Sequence, residues 1–384
     1  MDKPRILILG GGFAGLTVAN ELLNQTRTEL QISIVDKNEY FSMGANKLWV
    51  LAGYRKEAAK RSRKLLSKKG IQFLKEEIIA IHVDRKNIET KSEILSYDYL
   101  VVALGAEPVP SLIPGLSESG FNLYSRDDIP RIKEAITEFK GGKVVVFIGT
   151  PYKCPPAPYE GTIIVDELLR KGGVRELTTI DIYTAQPIAL PIAGKEISEK
   201  FAQILNEREI DLHFKKEISR IDATTKTIFF TEGDPIHFDL LIGIPPHRPP
   251  RVVTDSQLTS ETPWISVNPK TLQTAYENVF ALGDVAAVML PNGKLLPKAG
   301  TFAELEGLVV AKNISSKVNG MKETAAYDGT GYCFAELGPR RAAYMKGEFF
   351  AEPSPLVTLE EVSQEGFEKK EKFEEERLER WFSL

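Results

Sequence analysis

The chain has 384 residues, 42% of them apolar and 27% charged, with a formal net charge of −4. That length calls for two or three lobes with enough apolar material to fill them, and the mild, scattered charge leaves no basic footprint for nucleic acid. Only two cysteines, Cys154 and Cys333, exclude a disulfide-stapled scaffold, and no apolar run reaches the roughly 18 residues of a membrane-spanning helix.

The chain passes from Met1-Asp2-Lys3-Pro4-Arg5 straight into the short apolar run Ile6–Leu9, with no evident signal peptide. A cytoplasmic or peripheral membrane location is therefore expected. Arg5–Leu9 predicts a strand, Gly10–Gly15 a turn, Leu16–Leu23 a helix and Gln31–Val35 a second strand, which together form a βαβ unit. Pro108, Pro110 and Pro114 punctuate a connector that fits a first crossing between lobes. A helix over Ile129–Phe139, a Gly141-Gly142 break and a strand over Lys143–Ile148 open a second nucleotide-type lobe. The return to the first lobe is expected near Pro263. It is followed by a strand at Val279–Leu282, a turn at Gly283-Asp284 and a helix over Phe302–Val318. The last fifty residues offer strands at Tyr332–Leu337 and Arg341–Phe349 and a charged helical stretch from Glu360. That stretch ends in Arg377-Leu378-Glu379-Arg380-Trp381-Phe382-Ser383-Leu384. Its aromatic and basic end suits docking on the protein itself, on a partner or on a membrane surface. The expected fold class is α/β, with two Rossmann-like dinucleotide-binding lobes and a C-terminal α+β extension.

The chemistry begins at Gly10-x-Gly12-x-x-Gly15, with Asp36 at the end of the next strand, 21 residues after Gly15. Gly10 permits the tight turn, Gly12 lets a pyrophosphate approach the helix N-terminus and Gly15 allows close helix–strand packing. Asp36 can accept hydrogen bonds from an adenosine ribose. This fingerprint leaves FAD and NAD both open.

Two later segments, Asp98-Tyr99-Leu100-Val101-Val102-Ala103-Leu104-Gly105-Ala106 and Thr274-x-x-Glu277-Asn278-Val279-Phe280-Ala281-Leu282-Gly283-Asp284, resemble the pyridine nucleotide-disulfide oxidoreductase superfamily. The resemblance implies FAD, with Asp284 reaching the ribityl and pyrophosphate region. Leu296-Pro297-Lys298-Ala299-Gly300 would supply a helix N-terminus for negative charge on the reduced flavin. The expected cofactor residues are Gly10, Gly12, Phe13, Ala14, Gly15, Asp36, Lys37 and Ile78 from the first part of the lobe. Ala103, Leu104, Gly105, Gly283, Asp284, Lys298, Ala299 and Gly300 complete the set. The domains are then 1–108 and 263–325 for FAD, 109–262 for the second Rossmann-like domain and 326–384 for the C-terminal domain.

A second glycine fingerprint would be needed for NAD(P)H. The corresponding turn reads Gly149-Thr150-Pro151-Tyr152-Lys153-Cys154-Pro155-Pro156-Ala157-Pro158-Tyr159-Glu160, with one glycine and four prolines that lack amide hydrogens. A helix is expected over Tyr159–Lys171. Its N-terminus should lower the pKa of nearby Cys154 and favour a reactive thiolate. Glu160, in the first turn, is either a proton shuttle or an ordinary helix carboxylate.

This turn, the Pro245-Pro246-His247-Arg248-Pro249-Pro250 segment and the Gly331-Tyr332-Cys333-Phe334 strand resemble sulfide:quinone oxidoreductases and flavocytochrome c sulfide dehydrogenases. The resemblance implies a redox-active Cys154–Cys333 disulfide that takes electrons from sulfide or another small sulfur nucleophile and passes them through FAD to quinone. It departs from the family in lacking a third functional cysteine. Tyr40-Phe41-Ser42-Met43-Gly44 offers no cysteine for covalent flavin, so FAD should be noncovalent and quinone favoured over cytochrome c. Rival readings are a type II NADH dehydrogenase, a flavoprotein donating to cytochrome c and a non-catalytic partner-binding flavoprotein. A homo-oligomer and membrane contact through the terminal helix stay open. His82, His213, His237 and His247 show no metal-ligand spacing, so no metal is expected. For His247, proton transfer and loop ordering are both open.

Overall fold

The computed structural model describes residues 3–44 and 46–383; Met1, Asp2 and Leu384, quoted above, lie outside the described residues, as does Ala45. Along the chain the elements that position the site are β1 (Arg5–Leu9), α1 (Phe13–Gln25), β2 (Gln31–Val35), α2 (Asn46–Leu51), β3 (Gln72–Leu74), β4 (Tyr99–Val102) and β5 (Glu107–Pro108). The second lobe adds β6 (Phe121–Asn122), α3 (Asp128–Glu138), β7 (Gly142–Ile148), α4 (Ala157–Lys171), β8 (Thr178–Thr184), β9 (Ile210–His213), β10 (Leu240–Ile244) and β11 (His247–Arg248). The remainder is β12 (Val279–Ala281), α5 (Gly300–Val318), β13 (Thr330–Gly338), β14 (Arg341–Glu348), β15 (Leu356–Leu359) and α6 (Gln364–Phe382).

The first sheet runs β12-β4-β1-β2-β3 and the second β6-β10-β7-β8-β9, each with all its pairings parallel. In both, strand order reverses beside the first strand, and that reversal opens a crevice at the carboxyl ends of the strands. The central strands are apolar on both faces, as sheets covered by helices require: Ile6, Leu7, Ile8 and Leu9 in one lobe and Val144 to Ile148 in the other are buried. The helices begin slightly ahead of expectation. α1 starts at Phe13 because extended Gly12 already serves as its N-cap, and α4 starts at Ala157, directly after Pro156.

The crossing back to the first lobe comes earlier than Pro263. β5 and β11 pair antiparallel, Glu107 with Arg248 and Pro108 with His247, so the outgoing and returning connectors lie side by side. Val253, Leu258 and Ile265 are already in the core of the first lobe. Four prolines at 245–250 mark the true crossing, and the span 251–262 belongs with the first lobe.

The C-terminal extension is wedged between the lobes. Ala335 and Leu337 of β13 join the second core, while Leu378, Trp381 and Phe382 of α6 join the first. Trp381 meets Phe13 and Phe41 edge-on, with ring centroids 5.3 and 5.5 Å apart. Removing a ring buried in this way costs about 3–5 kcal/mol, so of the surfaces open to the terminal rings, the protein itself takes them. Arg377 and Arg380 add ion pairs to buried Glu304 at 3.2 and 3.0 Å. The helix starts at Gln364 instead of Glu360, capped by Ser363, whose hydroxyl accepts from the Gly366 amide at 3.0 Å.

Candidate active site

The crevice of the first lobe is a cavity of about 670 Å³. Gly10 sits at φ +100°, and a Cβ there would collide with the Ala103 carbonyl; a Cβ at Gly15 would collide with the Gly10 carbonyl. A Cβ at Gly12 would project into open space. The three glycines thus perform the turn, the close packing and the open approach expected of them. Phe13, Ala14, Asp36, Lys37 and Ile78 line the cavity, as do Ala103, Leu104, Gly105, Gly283, Asp284 and Gly300. Asp36 accepts from the Gly11 and Asn38 amides at 2.9 and 2.8 Å. Lys37 leans across to Glu107 at 2.9 Å.

Lys298 departs from expectation. Its Nζ donates to the carbonyls of Asp284 and Ala286 at 2.6 and 3.1 Å and lies over the Trp264 ring, so it serves the interior of the lobe. Burial pulls its pKa down to about 8 despite the opposing charges of Asp284 and Glu306. Its main-chain carbonyl nevertheless serves the site, accepting from the Cys154 amide at 2.7 Å.

Arg63 is a site residue that sequence reasoning missed. Its guanidinium is buried, donates to the Gly11 carbonyl at 2.9 and 2.7 Å and to the Asn38 carbonyl at 2.9 Å, and lies 3.3 Å from Asp36. It braces the glycine loop from behind. Nothing in the basic run Lys60-Arg61-Ser62-Arg63-Lys64 distinguishes it.

A second cavity of about 340 Å³ shares Phe13, Lys153, Asp284 and Gly300 with the first. It extends the dinucleotide site into a mostly apolar chamber bearing Phe41, Trp49, Phe334 and Phe373, and it is there that Cys154, Cys333, Glu160 and Ala299 lie. The two thiols, 179 residues apart in sequence, line this one chamber, close enough for their charges to be coupled. Cys154 is held at φ +53°, a left-handed conformation costing about 1–3 kcal/mol in a non-glycine residue. The loop pins it there: the Tyr124 hydroxyl donates to the carbonyls of Lys153 and Cys154 at 2.6 and 3.2 Å, and the Ala157 amide donates to the Cys154 carbonyl at 3.0 Å.

The expected lowering of the Cys154 pKa is overturned. The hydrogen bond with Cys333, then burial, then the charge of Cys333 push the thiol well above its ordinary range. A helix N-terminus three residues away does not outweigh a sulfur in contact.

Glu160 is buried and doubly held. Its Oε1 accepts from Lys370 Nζ at 2.9 Å and from the Glu336 amide at 2.5 Å. Of the two readings open for it, this geometry supports a carboxylate fixed in an ion pair. His247 is also buried. Burial first, then the charge of Lys153, drives its pKa down to about 3, its Nδ1 meets the Pro245 carbonyl at 2.9 Å and its ring stands edge-on to Tyr124. It is neutral and orders the loop. Lys47, which sequence reasoning also missed, lines the thiol chamber with its Nζ on the Tyr124 carbonyl at 2.5 Å. Burial, then Lys153 and Arg126, lower its pKa to about 8.

In the second lobe the matching turn packs on the returning connector. The Gly149 amide donates to the Ile244 carbonyl at 2.8 Å, and a Cβ at Gly149 would stand 2.6 Å from Pro246 Cδ. The His247 amide closes on the Pro151 carbonyl at 2.7 Å. The four prolines of this turn leave few amide hydrogens for a second pyrophosphate.

Two Rossmann-like lobes, one with an open dinucleotide crevice that leads to a chamber lined by two thiols, define a redox protein of the dinucleotide-binding class. The chain belongs to the pyridine nucleotide-disulphide oxidoreductase family, whose profile matches residues 4–307. It is 29% identical over 350 residues to the mitochondrial sulfide:quinone oxidoreductase of Dictyostelium discoideum, covering 86% of this chain and 75% of that one. It is 25% identical over 380 residues to a type II NADH:quinone oxidoreductase of Staphylococcus aureus, covering 90% and 94%. The solved sulfide:quinone oxidoreductase of Aquifex aeolicus superposes with a TM-score of 0.88 at 21% identity, over 99% of this chain and 91% of that one. That likeness shows a shared fold. A flavin cofactor goes with the family, and the open glycine loop, the acid at Asp36 and the apolar chamber beyond Asp284 fit such a group. The protein is a flavin-dependent oxidoreductase.

Proposed function

We propose that the protein is an FAD-dependent sulfide:quinone oxidoreductase in which Cys154 and Cys333 form the redox-active disulfide. The observation that carries this reading is that both thiols line a single chamber continuous with the dinucleotide crevice. The names of the relatives from Dictyostelium discoideum and Aquifex aeolicus support the donor and acceptor.

Asp36 would accept hydrogen bonds from the ribose of FAD, and the amides that open α1 would face its pyrophosphate. Asp284, where the two cavities meet, would mark the passage toward the ring. The cofactor would be held without a covalent bond. When bound, FAD supplies a two-electron acceptor beside the thiols.

In the oxidised protein, hydrosulfide attacks one sulfur of the disulfide. The S–S bond breaks, one cysteine becomes a persulfide and the other leaves as a thiolate, so that the bond pair of the disulfide resides on the leaving sulfur. A second sulfur nucleophile then removes the outer sulfur of the persulfide, and loss of two electrons restores the disulfide. Cys154 is suited to this cycle because its loop is fixed by hydrogen bonds from Tyr124 and to Lys298, which keep it facing Cys333. The apolar lining of the chamber by Phe41, Phe334 and Phe373 supports an apolar acceptor. No helix among the described residues is long and apolar enough to cross a membrane, so quinone would be met by peripheral contact. Trp381 and Phe382 are turned inward, which leaves that contact to another surface.

A type II NADH dehydrogenase is the second reading, favoured by the relative from Staphylococcus aureus. The proline-rich turn of the second lobe, with few amide hydrogens to offer a second pyrophosphate, argues against it. In a steady-state assay with sulfide as donor, the purified flavoprotein should reduce a soluble quinone analogue and leave cytochrome c oxidised. Reduction of cytochrome c with no quinone turnover would refute the acceptor proposed here.

A further inference from the structure

The C-terminal helix reaches the thiol chamber through one buried cation. Lys370 Nζ lies 2.9 Å from Glu160 Oε1 and 3.2 Å from Glu336 Oε2, and all three side chains are at most 6% exposed. Glu160 follows Cys154 by six residues on α4, and Glu336 follows Cys333 by three on β13. The knot is closed twice more: the Glu336 amide donates to Glu160 Oε1 at 2.5 Å, and Trp49 Nε1 of α2 donates to Glu336 Oε2 at 2.9 Å.

We propose that Lys370 is a positioning residue that clamps α4, which begins three residues after Cys154, to the Cys333-bearing strand, so that docking of the C-terminal helix holds the two sulfurs within bonding reach. The inference rests on the disulfide cycle proposed above. Two carboxylates share this buried site with one ammonium. Remove the cation and Glu160 faces Glu336 across a space of low polarity, where like charges repel strongly. Protonation of Glu336, whose pKa burial already raises, relieves part of this, and parting α4 from β13, which also draws the Cys154 turn from Cys333, relieves the rest. Burial opposes the charge of Lys370, but Glu160 and Glu336 outweigh it and raise its pKa above the ordinary lysine value. The clamp therefore stays charged across the neutral range. By linkage, formation of the disulfide must in turn favour docking of α6. Glu160 acts here by holding position, without contacting the reacting sulfur.

The test is the thiol–disulfide equilibrium of the full-length flavoprotein against oxidised and reduced dithiothreitol, read by thiol counting. Lys370→Met should shift that equilibrium toward the dithiol by about tenfold or more, the scale of losing hydrogen bonds to charged groups. Lys370→Arg should restore most of the shift. Glu336→Gln, which keeps an acceptor for Trp49 and removes one charge, should shift it in the same direction by less. Glu374→Gln serves as the control. It removes an equally buried partner, that of Arg55, from the same helix without touching either cysteine-bearing element, and should leave the equilibrium unchanged. Wild-type equilibria in Lys370→Met and Glu336→Gln would overturn the clamp, as would an equal shift in Glu374→Gln. If the wild-type thiols never form a disulfide, the cycle itself fails, and with it the premise of the clamp.

Discussion

Replacing Cys154 or Cys333 by Ser should abolish reduction of the bound flavin by sulfide, by about three orders of magnitude or more, while leaving the yellow flavoprotein folded and loaded. The size of the loss follows from the chemistry. A hydroxyl cannot form the exchangeable bond that sulfide must open, and residues that act as a unit lose nearly the whole effect when either is removed. The specificity follows from the geometry. Neither cysteine lines the 670 Å³ crevice that would hold the nucleotide portion, and both line the adjoining chamber. Stopped-flow bleaching with sulfide, paired with the flavin-to-protein absorbance ratio, measures the two halves of the prediction separately. Turnover at the wild-type rate in either variant would remove the disulfide from the mechanism.

A second large effect is expected at Arg63. Arg63→Met leaves the carbonyls of Gly11 and Asn38 without their donor and Asp36 without its cation. Losing one partner of a buried, hydrogen-bonded charge costs about 3–5 kcal/mol. Asp36 keeps the amides of Gly11 and Asn38, which points to the lower end, about 3 kcal/mol, or roughly a hundredfold in cofactor affinity if it falls on the glycine loop. Equilibrium dialysis should show the variant losing its flavin, and calorimetry of the stripped protein should show a lower Tm than stripped wild type. Full retention of flavin would mean that Arg63 supports the surface and not the loop.

Much of this architecture could be read before any coordinates. Continuous apolar runs such as Ile6–Leu9 and Val144–Ile148 identify buried parallel strands, because both faces are covered and no alternation with polar residues is needed. The glycine fingerprint was legible because each glycine answers a separate steric demand. Long-range pairing was not. Arg63 and Lys370 look like ordinary members of charged runs, and only the fold brings the first to Gly11 and the second to Glu160 and Glu336. The pairing of Cys154 with Cys333 comes from family resemblance, since a separation of 179 residues carries no local signal. The thiol pKa was misjudged because the helix-end argument counts a local dipole and omits the neighbouring sulfur and burial. The terminal helix leaves docking on the protein, a partner or a membrane open in sequence, because its many charges describe the solvent face, while Phe367, Leu378 and Trp381 form the buried seam.

Anaerobic titration of the oxidised flavoprotein with sulfide and, in a parallel cuvette, with NADH tests the donor most directly. Sulfide should bleach the flavin to completion at near-stoichiometric amounts while NADH leaves the spectrum unchanged, because the second-lobe turn has few amide hydrogens for a second pyrophosphate and the thiols stand at the end of the open crevice. Rapid bleaching by NADH with none by sulfide would contradict the account.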